Sequence, residues 1–147
     1  GTGSYGGVRV GIAVAYGLSL VLGVPVCGVS SLESWNTSSE SYEILGDARR
    51  KTFFRARVEA RSLVAEPSLF PVEEAVAQVQ AALASGASHF FTADERVSEK
   101  IPGVVLSFPD AEGVARRALA TPVEAWEETT LEPHYLRAPF ITKPKAK

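Results

Sequence analysis

The chain has 147 residues, 46% of them hydrophobic and 22% charged, with a formal net charge of -2. That is enough apolar content for one ordinary core, and it excludes both a charge-rich disordered chain and a globally basic nucleic-acid binder. A single cysteine, Cys27, excludes a disulfide framework and fits a reducing, cytoplasmic setting.

In chain order, Gly1–Gly7 is a glycine-rich entry loop, followed by a helix over Val8–Leu22 in which only Arg9 and Ser19 are plainly polar. A helix apolar nearly all round has no water-facing side, so it should be sandwiched between two surfaces. At about 1.5 Å per residue it reaches roughly 22 Å, short of a roughly 30 Å bilayer core, and no membrane association is expected. Gly7, Gly11 and Ala15 recur every four residues, and Ala13 with Gly17 forms a second row. Each interior glycine costs about 1 kcal/mol relative to alanine, so close packing must offset it. Two readings stay open on these residues: a core helix within one domain, or a helix on a partner subunit that uses Val8, Gly11, Ile12, Ala15, Tyr16 and Ser19.

Val24–Val29 is an apolar run that reads as a buried strand. Ser30 and Ser31 should cap a helical turn over Leu32–Trp35, and Asn36–Ser41 reads as a hinge between two halves. Beyond it, Tyr42–Gly46 and Thr52–Ala60 flank the turn Asp47-Ala48-Arg49-Arg50-Lys51. Alternation of Phe54, Ala56, Val58 and Ala60 with Phe53, Arg55, Arg57 and Glu59 marks a half-buried strand. Ser62–Ala65 is a third strand, ended by Glu66-Pro67. Val72, Val76, Val79 and Leu83 predict a helix from near Pro71 to Ser85, with Gly86 at its C-cap. His89–Ala93 and Val104–Ser107 are strands. A last helix beginning near Pro109 is striped by Ala111, Val114, Ala115, Ala118 and Leu119.

The glycine loop, with Gly3 and Ser4 at its centre, either binds a phosphate through backbone amides or simply fixes helix entry; it has neither Walker nor dinucleotide spacing. The Asp47–Lys51 turn gathers three cations beside one acid. It is either a solvated hairpin tip or a contact through Asp47, Arg49 and Arg50 to a partner protein, a nucleotide or tRNA phosphate. His89 and His134 have no metal-ligand spacing. Asp94-Glu95 and Glu127-Glu128 are adjacent carboxylates in expected loops, and adjacent residues do not converge as acid and base must. No nucleophile and base share a local context, so no catalytic residue and no metal site is assigned.

Three stretches carry a family resemblance. GTGSYGGVRVGIAVAYGLSLVLGVPVCGVSSLESW resembles the G-P-G-S-F-T-G-L-R-x-G-x-x-x-A-x-G-L-A-x-x-x-x-x-P-x-x-G-V-S-S-L-E segment of the bacterial TsaB (YeaZ) family. Asp47-Ala48-Arg49-Arg50 resembles its D-A-R-R turn, and Pro133-His134-Tyr135-Leu136-Arg137 its near-terminal P-x-Y-L-R. The departures are Thr2 for proline, Tyr5 for phenylalanine and Gly6 for threonine.

The predicted element order supports by itself only a mixed sheet with helices on it. The resemblance implies more: the α/β actin-like ATPase (ASKHA, ribonuclease H-like) fold, with residues 42–120 as a complete lobe. Residues 1–41 would be the closing helix, strand and hinge of a truncated first lobe, and residues 121–147 an extension with a basic tail. Family members carry strands and a D-T-S type motif ahead of the glycine loop, so this chain is expected to be a piece lacking them. The resemblance also implies a noncatalytic subunit for threonylcarbamoyladenosine modification of tRNA. Such a subunit forms a homodimer in isolation, pairs with a TsaD-like catalytic paralogue and a TsaE-like ATPase, and engages tRNA indirectly. It has no intrinsic cofactor, and ATP or ADP would bind only at a complex interface. The alternatives are a degenerate actin-like ATPase, an M22-type peptidase homologue, or an inactive proteolytic fragment.

Overall fold

The computed structural model describes residues 5–86, 88–126, 131–133 and 135. Its first element is helix α1, Tyr5–Leu22. The helix stops where Gly23 takes a left-handed φ of 63°, which lets the Val24 amide donate back to the Ser19 carbonyl at 3.3 Å.

Strands β1 (Tyr42–Asp47), β2 (Thr52–Glu59), β3 (Ser62–Leu63), β4 (Ser68–Pro71), β5 (Phe90–Thr92) and β6 (Val105–Leu106) form one mixed sheet. Its order is β3-β2-β1-β5-β6, with β4 also on β2. β2 runs antiparallel to β1, β3 and β4, while β5 is parallel to both β1 and β6. Helix α2 (Val72–Ala84) follows β4, the short α3 (Glu95–Lys100) follows β5, and α4 (Ala111–Leu119) follows β6.

β1 is central, and its residues Tyr42 to Gly46 are all buried. Leu45 joins Phe53, Val79, Phe90, Val97 and Ile101 beneath α2 and α3. Tyr42 and Ile44 join Trp35, Phe54, Ala56 and Val58 on the opposite face. β2 is the half-buried strand that alternation predicted, with Phe54, Ala56 and Val58 in the core and Arg57 and Glu59 exposed on the other face, where Phe53 alone joins the cluster beneath α2. Ser30 caps a 3₁₀ turn at Ser31–Glu33, its hydroxyl accepting from the Leu32 amide at 3.3 Å, as expected.

Several elements differ from the sequence expectation. Val24–Val29 is not a strand: it pairs with none of the six, and an apolar run without a neighbouring ladder has nowhere to place its backbone groups in a sheet. Asn36–Ser41, expected as a hinge, is irregular as read and is tied down by Arg61. Arg61 donates to the Trp35 carbonyl at 3.4 Å and the Thr37 carbonyl at 2.6 Å, and its amide donates to the Glu40 carbonyl at 2.8 Å. β4 and α3 fall in segments read as loop. In α4 the expected apolar stripe is not core, since Leu119 is 82% exposed. The helix docks instead through Gly113, where a Cβ would sit 2.4 Å from the Ser34 carbonyl oxygen, and through Arg117, whose Nε meets Glu33 at 3.3 Å. No helix among the described residues is long and apolar enough to cross a membrane.

Candidate functional site

Two surfaces outside the core hold the residues singled out above. The first is α1. Val8, Ile12, Ala15 and Ser19 lie along one side of the helix and are half-buried, while Gly11 and Tyr16 beside them are exposed. The other side presents Val10, Val14, Leu18 and Val21, between 54% and 83% exposed. Gly6, Gly11 and Gly17 have no atom within 4 Å of where a Cβ would stand, so nothing described in this chain uses the space they leave.

The charged residue of α1, Arg9, is engaged by the C-terminal segment. Its Nε donates to the Tyr135 hydroxyl at 2.8 Å, and its guanidinium carbon lies 5.7 Å from the Tyr135 ring centroid. A groove of about 340 Å³ beside this clasp is lined by Arg9, Ile12, Ala13, Tyr16, Leu131 and Pro133. The helix and the P-x-Y-L-R stretch, far apart in sequence, thus meet. Gly3, Ser4, His134, Leu136 and Arg137 lie outside the described residues.

The second surface is the turn at the carboxyl end of β1. Arg49, Arg50 and Lys51 all have left-handed backbone, with φ of 64°, 53° and 58°. For non-glycine residues this costs about 1 kcal/mol or more apiece, and it persists only where the surroundings enforce it. Here they do. The Arg49 amide donates to Asp47 Oδ1 at 2.6 Å, and Thr52 donates to the Arg49 carbonyl from its amide (3.1 Å) and its hydroxyl (2.7 Å). The Ala48 amide donates to the Thr52 carbonyl at 2.9 Å, and the Val72 amide to the Lys51 carbonyl at 3.1 Å. The Arg49 side chain, 79% exposed, pairs only loosely with Asp47 at 3.6 Å.

Several acids outside this turn have structural partners. Glu43, 3% exposed, is held in a two-pronged pair by Arg55, through Nε and through Nη2 at 2.9 Å, and Arg55 also donates to Gln78 at 3.2 Å. Hydrogen bonding to Glu43 raises the Arg55 guanidinium above its ordinary value despite partial burial. Asp94 and Asp110 cap α3 and α4, accepting from the amides of Arg96 (3.0 Å) and Gly113 (2.7 Å). The Asp94 assignment corrects the loop carboxylate expected there. His89 is exposed, and among the described residues no group of His, Cys, Asp and Glu could hold a metal ion.

The family model described as "TsaD: tRNA N6-adenosine threonylcarbamoyltransferase" matches residues 1–113. The chain belongs to this TsaD family. Among solved structures it is similar to one described as an uncharacterized protein with similarity to peptidase YEAZ from Pseudomonas aeruginosa. That likeness has 25% identity and a TM-score of 0.61, over 93% of this chain and 70% of the other. No curated protein matches. Together these bear out the TsaB (YeaZ) resemblance and the actin-like α/β fold, to which the β3-β2-β1-β5-β6 sheet corresponds. Membership of the TsaD family ties the chain to threonylcarbamoyladenosine biosynthesis at family level.

Sequence reasoning missed two polar devices. The Glu43–Arg55 pair had a signal, a glutamate inside the apolar strand Tyr42–Leu45. Arg61 had none, because the tight turn it shares with Ala60 uses left-handed residues, φ 48° and 61°, without glycine.

Proposed function

We propose that this chain is a noncatalytic, TsaB-like scaffold that forms a homodimer through α1. In this role it supports a TsaD-like catalytic paralogue, with a TsaE-like ATPase, in threonylcarbamoyladenosine modification of tRNA. The observation that carries the reading is α1 itself, an eighteen-residue helix with apolar side chains exposed along one whole side and glycines that no described neighbour fills. Soluble proteins seldom leave such a surface bare. The contact is assigned to Val8, Gly11, Ile12, Ala15, Tyr16 and Ser19, extended by the exposed valines. Engagement of Glu43, Glu33, Asp94 and Asp110 in pairs and caps supports a structural rather than a chemical use of the lobe's acids. ATP or ADP, if bound, is placed where partners meet, and the setting is cytoplasmic.

Light scattering tests the reading. The unmodified chain should run as a dimer at tens of micromolar. Ala15→Arg, a long charged side chain at a close-approach position, should dissociate or aggregate it. A clean monomer with α1 folded by circular dichroism would refute the reading. The competing enzymatic reading draws on the transferase for which the family is named and the peptidase to which the similar structure is likened. It predicts turnover by the purified chain alone, whereas the scaffold reading predicts turnover only when the catalytic paralogue is added.

A further inference from the structure

We infer that the Asp47–Lys51 turn binds phosphate groups directly, with an RNA backbone as the favoured source. This goes beyond the scaffold reading, in which tRNA is engaged only through a partner. In a chain of net charge -2, five successive residues carry three cations and one acid. Arg49, Arg50 and Lys51 are all exposed.

Asp47 offsets only one of the three cations, its Oδ1 holding the Arg49 amide at 2.6 Å and its Oδ2 lying 3.6 Å from the Arg49 guanidinium, so the five residues keep a formal excess of two positive charges. Left-handed φ at all three cationic positions sets their side chains around a tight tip, and hydrogen bonds from Thr52 and Val72 to the Arg49 and Lys51 carbonyls fix that backbone. Less ordering is then required of the chain when a ligand arrives. Backbone strain held in place at a charged, exposed position is a pointer to function. The turn lies where the central strand β1 ends between antiparallel β2 and parallel β5, the end of an α/β sheet at which ligands collect. The Arg49 side chain is 79% exposed, free of any enclosing wall, which suits contact with phosphates along a strand better than enclosure of a nucleotide.

The test is fluorescence anisotropy of the full chain with labelled bulk tRNA and, separately, competition by sodium tripolyphosphate and ATP. The variant is Arg49→Gly with Arg50→Gly, since glycine accepts the left-handed backbone and the fold should survive loss of both charges. Arg116→Ala, which removes an exposed arginine on α4, is the charge control. The expected result is tRNA binding weakened about tenfold at low salt in the double variant, with the slope of log K against log salt shallower by about one unit per lost cation. Arg116→Ala should change neither. Displacement by tripolyphosphate and ATP at equal concentration marks phosphate alone as the determinant, and displacement by tRNA far below either marks an RNA backbone. Absence of salt-dependent binding, or an equal loss in Arg116→Ala, overturns the proposal. So does unchanged tRNA binding in a double variant that no longer joins the catalytic paralogue, which would assign the turn to an acidic protein partner. The dimer measured by light scattering is independent of all these outcomes, so failure here leaves the scaffold reading standing and the reverse.

Discussion

Gly46 sits at the end of β1, directly across from Phe54 on β2 and one residue before the Asp47 turn. Its backbone is not among the left-handed ones, so alanine is conformationally allowed there and would ordinarily gain up to about 1 kcal/mol from reduced unfolded-state freedom. Space decides otherwise. A Cβ at this position would lie 2.2 Å from Phe54 Cε1 and 2.6 Å from Cζ, well inside contact distance, and the ring is only 8% exposed in the core beside Trp35 and Ile44. Displacing a packed aromatic side chain costs roughly 1–3 kcal/mol. Gly46→Ala should therefore destabilise by about 2 kcal/mol, lowering the urea midpoint by about 1 M at a typical slope. Phe54→Leu removes the ring atoms responsible, so the double variant should lose less than the sum of the singles, with a coupling of about 1 kcal/mol or more. Wild-type stability in Gly46→Ala, or simple additivity of the two changes, would refute the packing argument.

Arg55→Ala should cost about 3 kcal/mol in urea unfolding, because it leaves Glu43, with a side chain only 5% exposed, buried without its partner. Replacing both by leucine should recover most of that loss. Asp110→Ala should cost about 1 kcal/mol and speed hydrogen exchange at Gly113, whereas Asp110→Asn, which can still accept from that amide, should not.

The lobe was legible where a local rule and the tertiary structure agree. Gly86, left-handed at 67°, ends α2 where a C-cap was expected, and the buried Val72 and Val79 keep the helical spacing that predicted them. Legibility failed where a neighbour decides. β4 has no alternation of its own and exists because Ser68–Pro71 pairs with Thr52–Arg55. The stripe on α4 misled because that helix is held by Gly113 on the Ser34 carbonyl and by the Arg117–Glu33 pair, contacts that a hydrophobic pattern cannot encode. Arg61 grips carbonyls 24 and 26 residues away, a pairing with no trace in local sequence.

The candidate surfaces divide by the same logic, and glycine is the clearest probe of it. At Gly46 and Gly113 the absent side chain is accounted for inside the chain, by Phe54 and by the Ser34 carbonyl. At Gly6, Gly11 and Gly17 it is not, since no atom lies within 4 Å of the missing Cβ. Helix interiors do not keep glycine for propensity, which costs about 1 kcal/mol at each position. The three cationic residues of the Asp47–Lys51 turn invert the case: left-handed backbone that glycine would accept freely is occupied by Arg49, Arg50 and Lys51. In α1 the sequence gives up side chains that folding would favour, and in the turn it retains side chains that folding would disfavour. Both departures fall on exposed surface, which is why α1 carries the proposed dimer contact and the turn the proposed phosphate contact.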